Sequence, residues 1–235
     1  MTRFAALYAL ILRTQTTRAR VVMLGVLGLL GVVIAIPLRG ADDPLEAASH
    51  FIDGFGLTLV LPITTLVFAS AALGDFIDDG TMVYLWMRPV SRLSMALAAA
   101  TATLTVVLPL VVIPLTVAAI VSGAGGDLVA GTILAAVVGV VAYTGLFVTL
   151  GVRVKRPLLW GLLYILVWEN FIARLGESAS RLAIATYTRS ILSSITGFEL
   201  PLADLPAVAC VIVPLAVTVA ALGYASHRLT VQDVA

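Results

Sequence analysis

The chain carries little charge. Asp, Glu, Lys and Arg make up 11% of its 235 residues and hydrophobic residues 61%, whereas ordinary soluble domains are roughly a quarter charged. A soluble protein this apolar could not cover its surface with polar groups. A bilayer is the solvent that removes the contradiction. The fourteen Lys and Arg residues form no dense basic cluster, which excludes a nucleic-acid partner as the reading of charge. There is one lysine, Lys155, in the run GVRVKRPLL. A nucleotide-binding P-loop needs Gly-x-x-x-x-Gly-Lys-Ser/Thr, so the chain cannot bind ATP through that motif. The one cysteine, Cys210, lies inside an apolar run; it can form neither an internal disulfide nor, alone, a thiolate metal site, and reads as a small apolar residue. The two histidines, His50 and His227, are far apart and belong to no HExxH motif, and no nucleophile-elbow serine stands beside them, so an intramembrane protease has no support.

What the chain has is apolar length. Spanning hydrocarbon takes about 20 residues of helix. Six segments qualify: Val21–Leu38, Phe55–Leu73, Leu93–Val121, Leu128–Val152, Leu158–Ala173 and Leu205–Ser226. The first exceeds a signal-peptide core of about 7–15 residues and follows a long Arg-containing stretch, so it reads as a true span. The third is long enough to tilt. The fifth is short, and its outer end is polar. Pro62, Pro109, Pro114 and Pro214 fall inside spans, where each removes a backbone donor and kinks its helix. Gly25, Gly28 and Gly31, and again Gly139, Gly145 and Gly151, permit close helix contact. The fold class expected is an all-α membrane protein, a single domain over residues 1–235.

Six spans put both termini on one side. That side then holds ten basic residues, Arg3, Arg13, Arg18, Arg20, Arg88, Arg92, Arg153, Lys155, Arg156 and Arg228. The other holds four, Arg39, Arg174, Arg181 and Arg189. By the positive-inside rule both termini are expected in the cytoplasm. Before the first span, Phe4, Leu7, Tyr8 and Ile11 recur at helical spacing, with Arg3, Arg13 and Gln15 elsewhere on the wheel. This predicts an amphipathic helix within residues 1–20, lying in the inner headgroup region.

The loop of residues 74–92, between spans two and three, reads GDFIDDGTMVYLWMRPVSR. Asp75, Asp78 and Asp79 come early, Gly80 permits a turn, and Thr81 can cap a short helix that Pro89 stops. The acids before it and Arg88 at its end suit the helix dipole. Tyr84, Trp86, Met87 and Arg88 are of types enriched in interface cores. A short helix so composed suits docking into a partner's groove, or lying on the membrane surface with Trp86 in the aromatic belt.

The order Gly74–Asp75, Gly80–Thr81, Leu85 and Arg88–Pro89–Val90–Ser91–Arg92 resembles type-2 ABC-transporter permeases. That family often has Glu where Asp75 or Asp78 stands. A second stretch, with Leu163–Tyr164, Trp168–Glu169, Ser180 and Tyr187, is similar to the fifth span and following loop of one branch of these permeases. The ending Tyr224 to Asp233 is similar to the basic-then-acidic tail common in the family. The resemblance implies a permease subunit of an ABC exporter in a prokaryotic cytoplasmic membrane, not itself an enzyme. The subunit would pair with a second copy or a related permease. Two separate ATPase subunits would hold ATP and Mg, and Asp75, Asp78, Thr81, Tyr84, Trp86, Arg88, Pro89 and Arg92 would couple to them. It also implies short re-entrant helices in the extracytoplasmic loop of residues 171–203. Apolar spans suit a hydrophobic or amphipathic cargo.

Glu169 and Asn170 stand about twelve residues past Pro157, roughly 18 Å along a helix and a little beyond mid-membrane. An acid at the membrane centre costs about 2.5–3.5 kcal/mol on insertion scales, so it should face protein, water or a basic partner. It either lines or gates the transport path, or makes a structural hydrogen bond to the following loop. A rival from another class is a magnesium-dependent lipid-modifying enzyme built on Asp75, Asp78 and Asp79. Membrane prenyltransferases resemble one another in carrying two such acidic motifs on separate loops, and this chain has one. The CDP-alcohol phosphotransferase pattern needs Asp-x-x-Asp-Gly, and here the glycine arrives one residue late. A non-transporting scaffold subunit is the other alternative.

Overall fold

A computed structural model describes residues 3–78, 91–203 and 205–231. Those residues form a helical bundle: α1 Arg3–Gln15, α2 Arg18–Ala35, α3 Pro44–Phe51, α4 Leu61–Asp78, α5 Arg92–Val121, α6 Gly126–Arg153, α7 Pro157–Leu163, α8 Glu177–Ser180, α9 Ile184–Thr196 and α10 Ala207–Val231. Among the described residues, five stretches are long and apolar enough to cross a membrane: Arg18–Gly40, Pro44–Ile77, Arg92–Val121, Gly126–Arg153 and Ala207–Thr230. The chain is a multi-pass membrane protein by this measure. The expected fifth span, Leu158–Ala173, is instead a helix of only 13 residues, Pro157–Glu169. At 1.5 Å per residue it rises about 20 Å, short of a hydrocarbon core of about 30 Å.

Burial sorts the five crossings. Of an apolar 18-residue window in each, 83% of residues are buried in Pro44–Ile77 and 61% in Gly126–Arg153, against 22% in Arg18–Gly40, 28% in Arg92–Val121 and 17% in Ala207–Thr230. The first two therefore form the centre and the other three face outward. On α2 the outward face is Val22, Met23, Val26, Leu29 and Leu30, all exposed. In a bilayer such a face is solvated by acyl chains.

The central contact rests on missing side chains. A Cβ on Gly151 of α6 would stand 2.5 Å from the carbonyl oxygen of Ser70 in α4, and one on Gly145 would stand 2.8 Å from Cα of Thr218 in α10. Backbone meets backbone at both points, which no larger residue permits. Hydroxyls then stitch α6 to α10. Thr149 donates to the carbonyl of Ala221 at 2.8 Å, and Thr218 to that of Val141 at 3.2 Å.

The second crossing is continuous but not uniform. Asp43 caps it, accepting from the amides of Leu45 and Glu46, with Pro44 in its first turn. Between α3 and α4, residues Ile52–Val60 form a π-helix. Pro62 supplies the cause: it has no N–H, and its ring crowds the carbonyl four residues back. The helix opens by one residue, and the Leu61 amide donates to Gly56, five residues back.

The first helix departs from its sequence reading. Leu7 and Ile11 are buried, as the periodicity predicts, but against α4 and α5. Gln15, read as part of the polar face, is fully buried. Its amide nitrogen donates to the Phe68 carbonyl at 3.1 Å and to Thr103 Oγ1 at 3.0 Å, while its oxygen has no partner among the described residues. The two donated bonds pin the end of α1 between α4 and α5.

The largest unexpected contact is an ion pair in the half of the bundle away from Arg153. Arg189 of α9 reaches both oxygens of Asp53 in the π-helical segment, at 2.9 and 3.0 Å. Its guanidinium also donates to the Pro201 carbonyl at 3.3 Å. The side chains are only 6% and 13% exposed. Removing one partner of such a pair strands a buried charge, at a cost of about 3–5 kcal/mol, whereas an apolar pair of similar size is near neutral. Asp53→Leu or Arg189→Met alone should lower the melting temperature in detergent sharply. The double substitution should recover most of the loss. A double variant that loses as much as the two single variants added together would mean that the two residues are not coupled.

Candidate functional site at a helix break

The short helix α7 is continued by a second π-helical segment, Tyr164–Glu169. Pro157 starts it, packed beside Gly74 of α4. The rest climbs along α6 against its chain direction: Tyr164 meets Phe147 edge-on, and Glu169 reaches Tyr143. There the helix stops. The Asn170 amide donates to the Ile165 carbonyl five residues back, and the Asn170 side chain donates to the same oxygen at 2.9 Å. After a short excursion containing α8, α9 begins at Ile184 beside Glu169 and continues in the same direction. Thr188 lies over Gly139 of α6, and Leu192 and Ile195 over Gly131. Two helices of 13 residues, Pro157–Glu169 and Ile184–Thr196, thus follow each other along one face of α6.

Their junction is a polar cluster. Glu169 is 4% exposed. It accepts from the hydroxyls of Tyr143 and of Tyr164, the latter at 2.9 Å, and from the Ile184 amide at 3.2 Å. The residue preceding α9, Ala183, offers no side-chain cap. Glu169 supplies the missing acceptor from another segment and sets a carboxylate against the positive end of the α9 dipole. Depth explains why it must. Tyr143 stands ten residues before Arg153 at the end of α6, about 15 Å into the bundle, where no bulk water reaches a free amide.

An apolar cleft of about 450 Å³ opens beside this half-helix, walled by Trp160, Leu163, Val167 and Trp168, with Arg153 at its rim. Tyr164 belongs to both features: its ring lines the cleft and its hydroxyl holds Glu169. Arg153 hydrogen-bonds the Tyr224 hydroxyl of α10 and lies over that ring, 5.7 Å from its centroid.

The other residues singled out from sequence sit apart from this cluster. Asp75 near the end of α4 accepts from Arg20 at the start of α2, 3.2 Å away. Arg92 stands in the first turn of α5, behind the cap Ser91, whose hydroxyl accepts from the Ser94 amide. Asp78 is the last residue of α4. Asp79, Thr81, Tyr84, Trp86, Arg88 and Pro89, and with them the proposed coupling helix, lie outside the described residues. The sequence reading named Glu169, Asn170 and Tyr164 but not Tyr143, nor the pairing of Asp53 with Arg189. The signal for that pair was present: Asp53 is the one acid in the apolar run from Phe51 to Leu73, and Arg189 the one charge between Arg181 and Glu199. No protein family, curated protein or solved structure matches the chain.

Glu169→Ala would leave two buried hydroxyls and a helix-start amide without their acceptor. Each orphaned group costs about 1–3 kcal/mol. Glu169→Gln keeps one acceptor oxygen and should be much milder. Thermal unfolding in detergent is expected to rank wild type first, then Gln, with Ala far below. Indistinguishable Gln and Ala variants would show that the carboxylate does not cap α9.

Proposed function

We propose that this chain is the permease subunit of an ATP-driven ABC exporter, moving a hydrophobic or amphipathic substrate across the cytoplasmic membrane of a prokaryote. The observation that carries the reading is the pair of end-to-end half-helices beside an apolar cleft. Taken together they make one broken crossing, the fifth of six, and return both termini to the cytoplasmic side. Membrane transporters place discontinuous helices, with their polar ends satisfied inside the protein, where a substrate passes. Substrate would move along the cleft, and rearrangement at Glu169 and Asn170 would change how α9 sits on α6.

The choice of an ATP-driven system rests on the resemblance in residues 74–92 and on the missing P-loop. In this reading two partner ATPase subunits bind ATP and Mg. Their closure is passed through the segment from Asp75 to Arg92 to α4 and α5, which leave it on either side. The Arg20–Asp75 pair ties that segment's start to α2. It also occupies one of the three carboxylates that a magnesium-dependent lipid enzyme would need, which favours the transporter. A second permease copy, or a related chain, completes the pathway.

Affinity purification of the tagged chain in mild detergent tests the assignment. A stoichiometric ABC ATPase should co-purify. Trp86→Ala or Arg88→Ala should then uncouple ATP hydrolysis from transport while leaving membrane insertion intact. A clean preparation with no ATPase, under conditions that preserve ABC complexes, would contradict the proposal and favour the acidic-loop enzyme or a scaffold.

A further inference from the structure

A second cavity, of about 320 Å³, lies between the start of α2, the end of α4 and the connection from α6 to α7. Three cations, Arg20, Lys155 and Arg156, and one carboxylate, Asp75, line it. Arg20 directs two guanidinium nitrogens at one Asp75 oxygen, at 3.3 and 3.2 Å. The pair fixes the guanidinium in place and leaves N–H donors over. The side chains of Lys155 and Arg156 make no ion pair or hydrogen bond among the described residues, and both are exposed. Among the described residues the cavity lining therefore carries an excess of two positive charges.

Its remaining wall is apolar apart from Ser70, whose hydroxyl is bonded to the Leu66 carbonyl. Leu158 and Leu159 line it and continue outward as exposed surface on α7, 48% and 57% accessible. A soluble anion would gain nothing from that wall. A phospholipid presents an anionic phosphate with acyl chains directly below it, which is the order of groups here: cations at the helix ends, exposed leucines one turn deeper. Basic pockets between crossings at the cytoplasmic surface bind such headgroups.

We propose that this cavity binds the phosphate of an anionic phospholipid, one per chain, bridging the start of α2 to the connection that launches the half-helix. The site needs only membrane embedding and stands apart from the transporter assignment.

The experiment is native mass spectrometry of the purified chain in neutral detergent, with phosphatidylglycerol, phosphatidylcholine and inorganic phosphate as probes. Phosphatidylglycerol should be retained one per chain in preference to phosphatidylcholine, and millimolar phosphate should not displace it. Lys155→Ala/Arg156→Ala should weaken retention by about ten-fold or more, given the contribution of each basic residue near a membrane surface. Arg13→Ala/Arg18→Ala removes the same charge from exposed positions outside the cavity and should change little. Equal weakening in both double variants would overturn the site in favour of general surface attraction. No preference between the two lipids in the wild type would overturn it without recourse to variants. Displacement by phosphate would reassign the cavity to a soluble anion.

Discussion

Hydrocarbon offers no hydrogen bonds, and the architecture is organised by that fact. A helix that stops inside a bilayer exposes amides and carbonyls that the solvent cannot satisfy. Here one stops in the buried interior of the bundle, at Glu169, and the chain answers with side chains. Asn170 returns to the Ile165 carbonyl, Glu169 accepts the first amide of the next half-helix, and Tyr143 and Tyr164 bond the remaining carboxylate capacity. The break is thus a built junction, held by a fully buried tyrosine of α6, Tyr143.

The same economy of polar groups holds elsewhere. Asp53 and Arg189 neutralise each other where α9 meets the π-helical opening caused by Pro62. Gln15 closes α1 onto α4 and α5. Thr149 and Thr218 bond across α6 and α10 at the level where Gly145 lets the backbones touch. Each of these contacts joins two segments distant in sequence. In an apolar bundle, where dispersion favours many similar packings, such contacts select one.

Much of this was legible in the sequence. Long apolar runs gave the positions of five crossings, because hydrophobic length is a one-dimensional property. The second begins earlier than the Phe55 expected, at Pro44; the charge of Asp53 inside it is cancelled by a residue 136 positions away. The fifth segment failed as a simple span for a related reason. Periodicity identifies Pro157–Glu169 as apolar, but only three-dimensional contact shows that Ile184–Thr196, interrupted by Thr186, Arg189 and Ser190, continues it along α6. All three are buried, Arg189 bonded to Asp53 and Ser190 to the Thr186 carbonyl four residues back, and so present no polar face to lipid. Glu169 was readable as a buried carboxylate with two alternative roles, and the geometry shows it bonded to the segment that follows.

The central claim is that the two half-helices count as one crossing. Topology tests it directly, because six crossings return the chain to its starting side and five do not. Single cysteines at exposed Thr17 and His227, in a Cys210→Ser background, can be labelled in intact cells and in inverted vesicles with a membrane-impermeant maleimide. The account predicts that both positions react from the cytoplasmic face only. Labelling of Thr17→Cys and His227→Cys from opposite faces would contradict it.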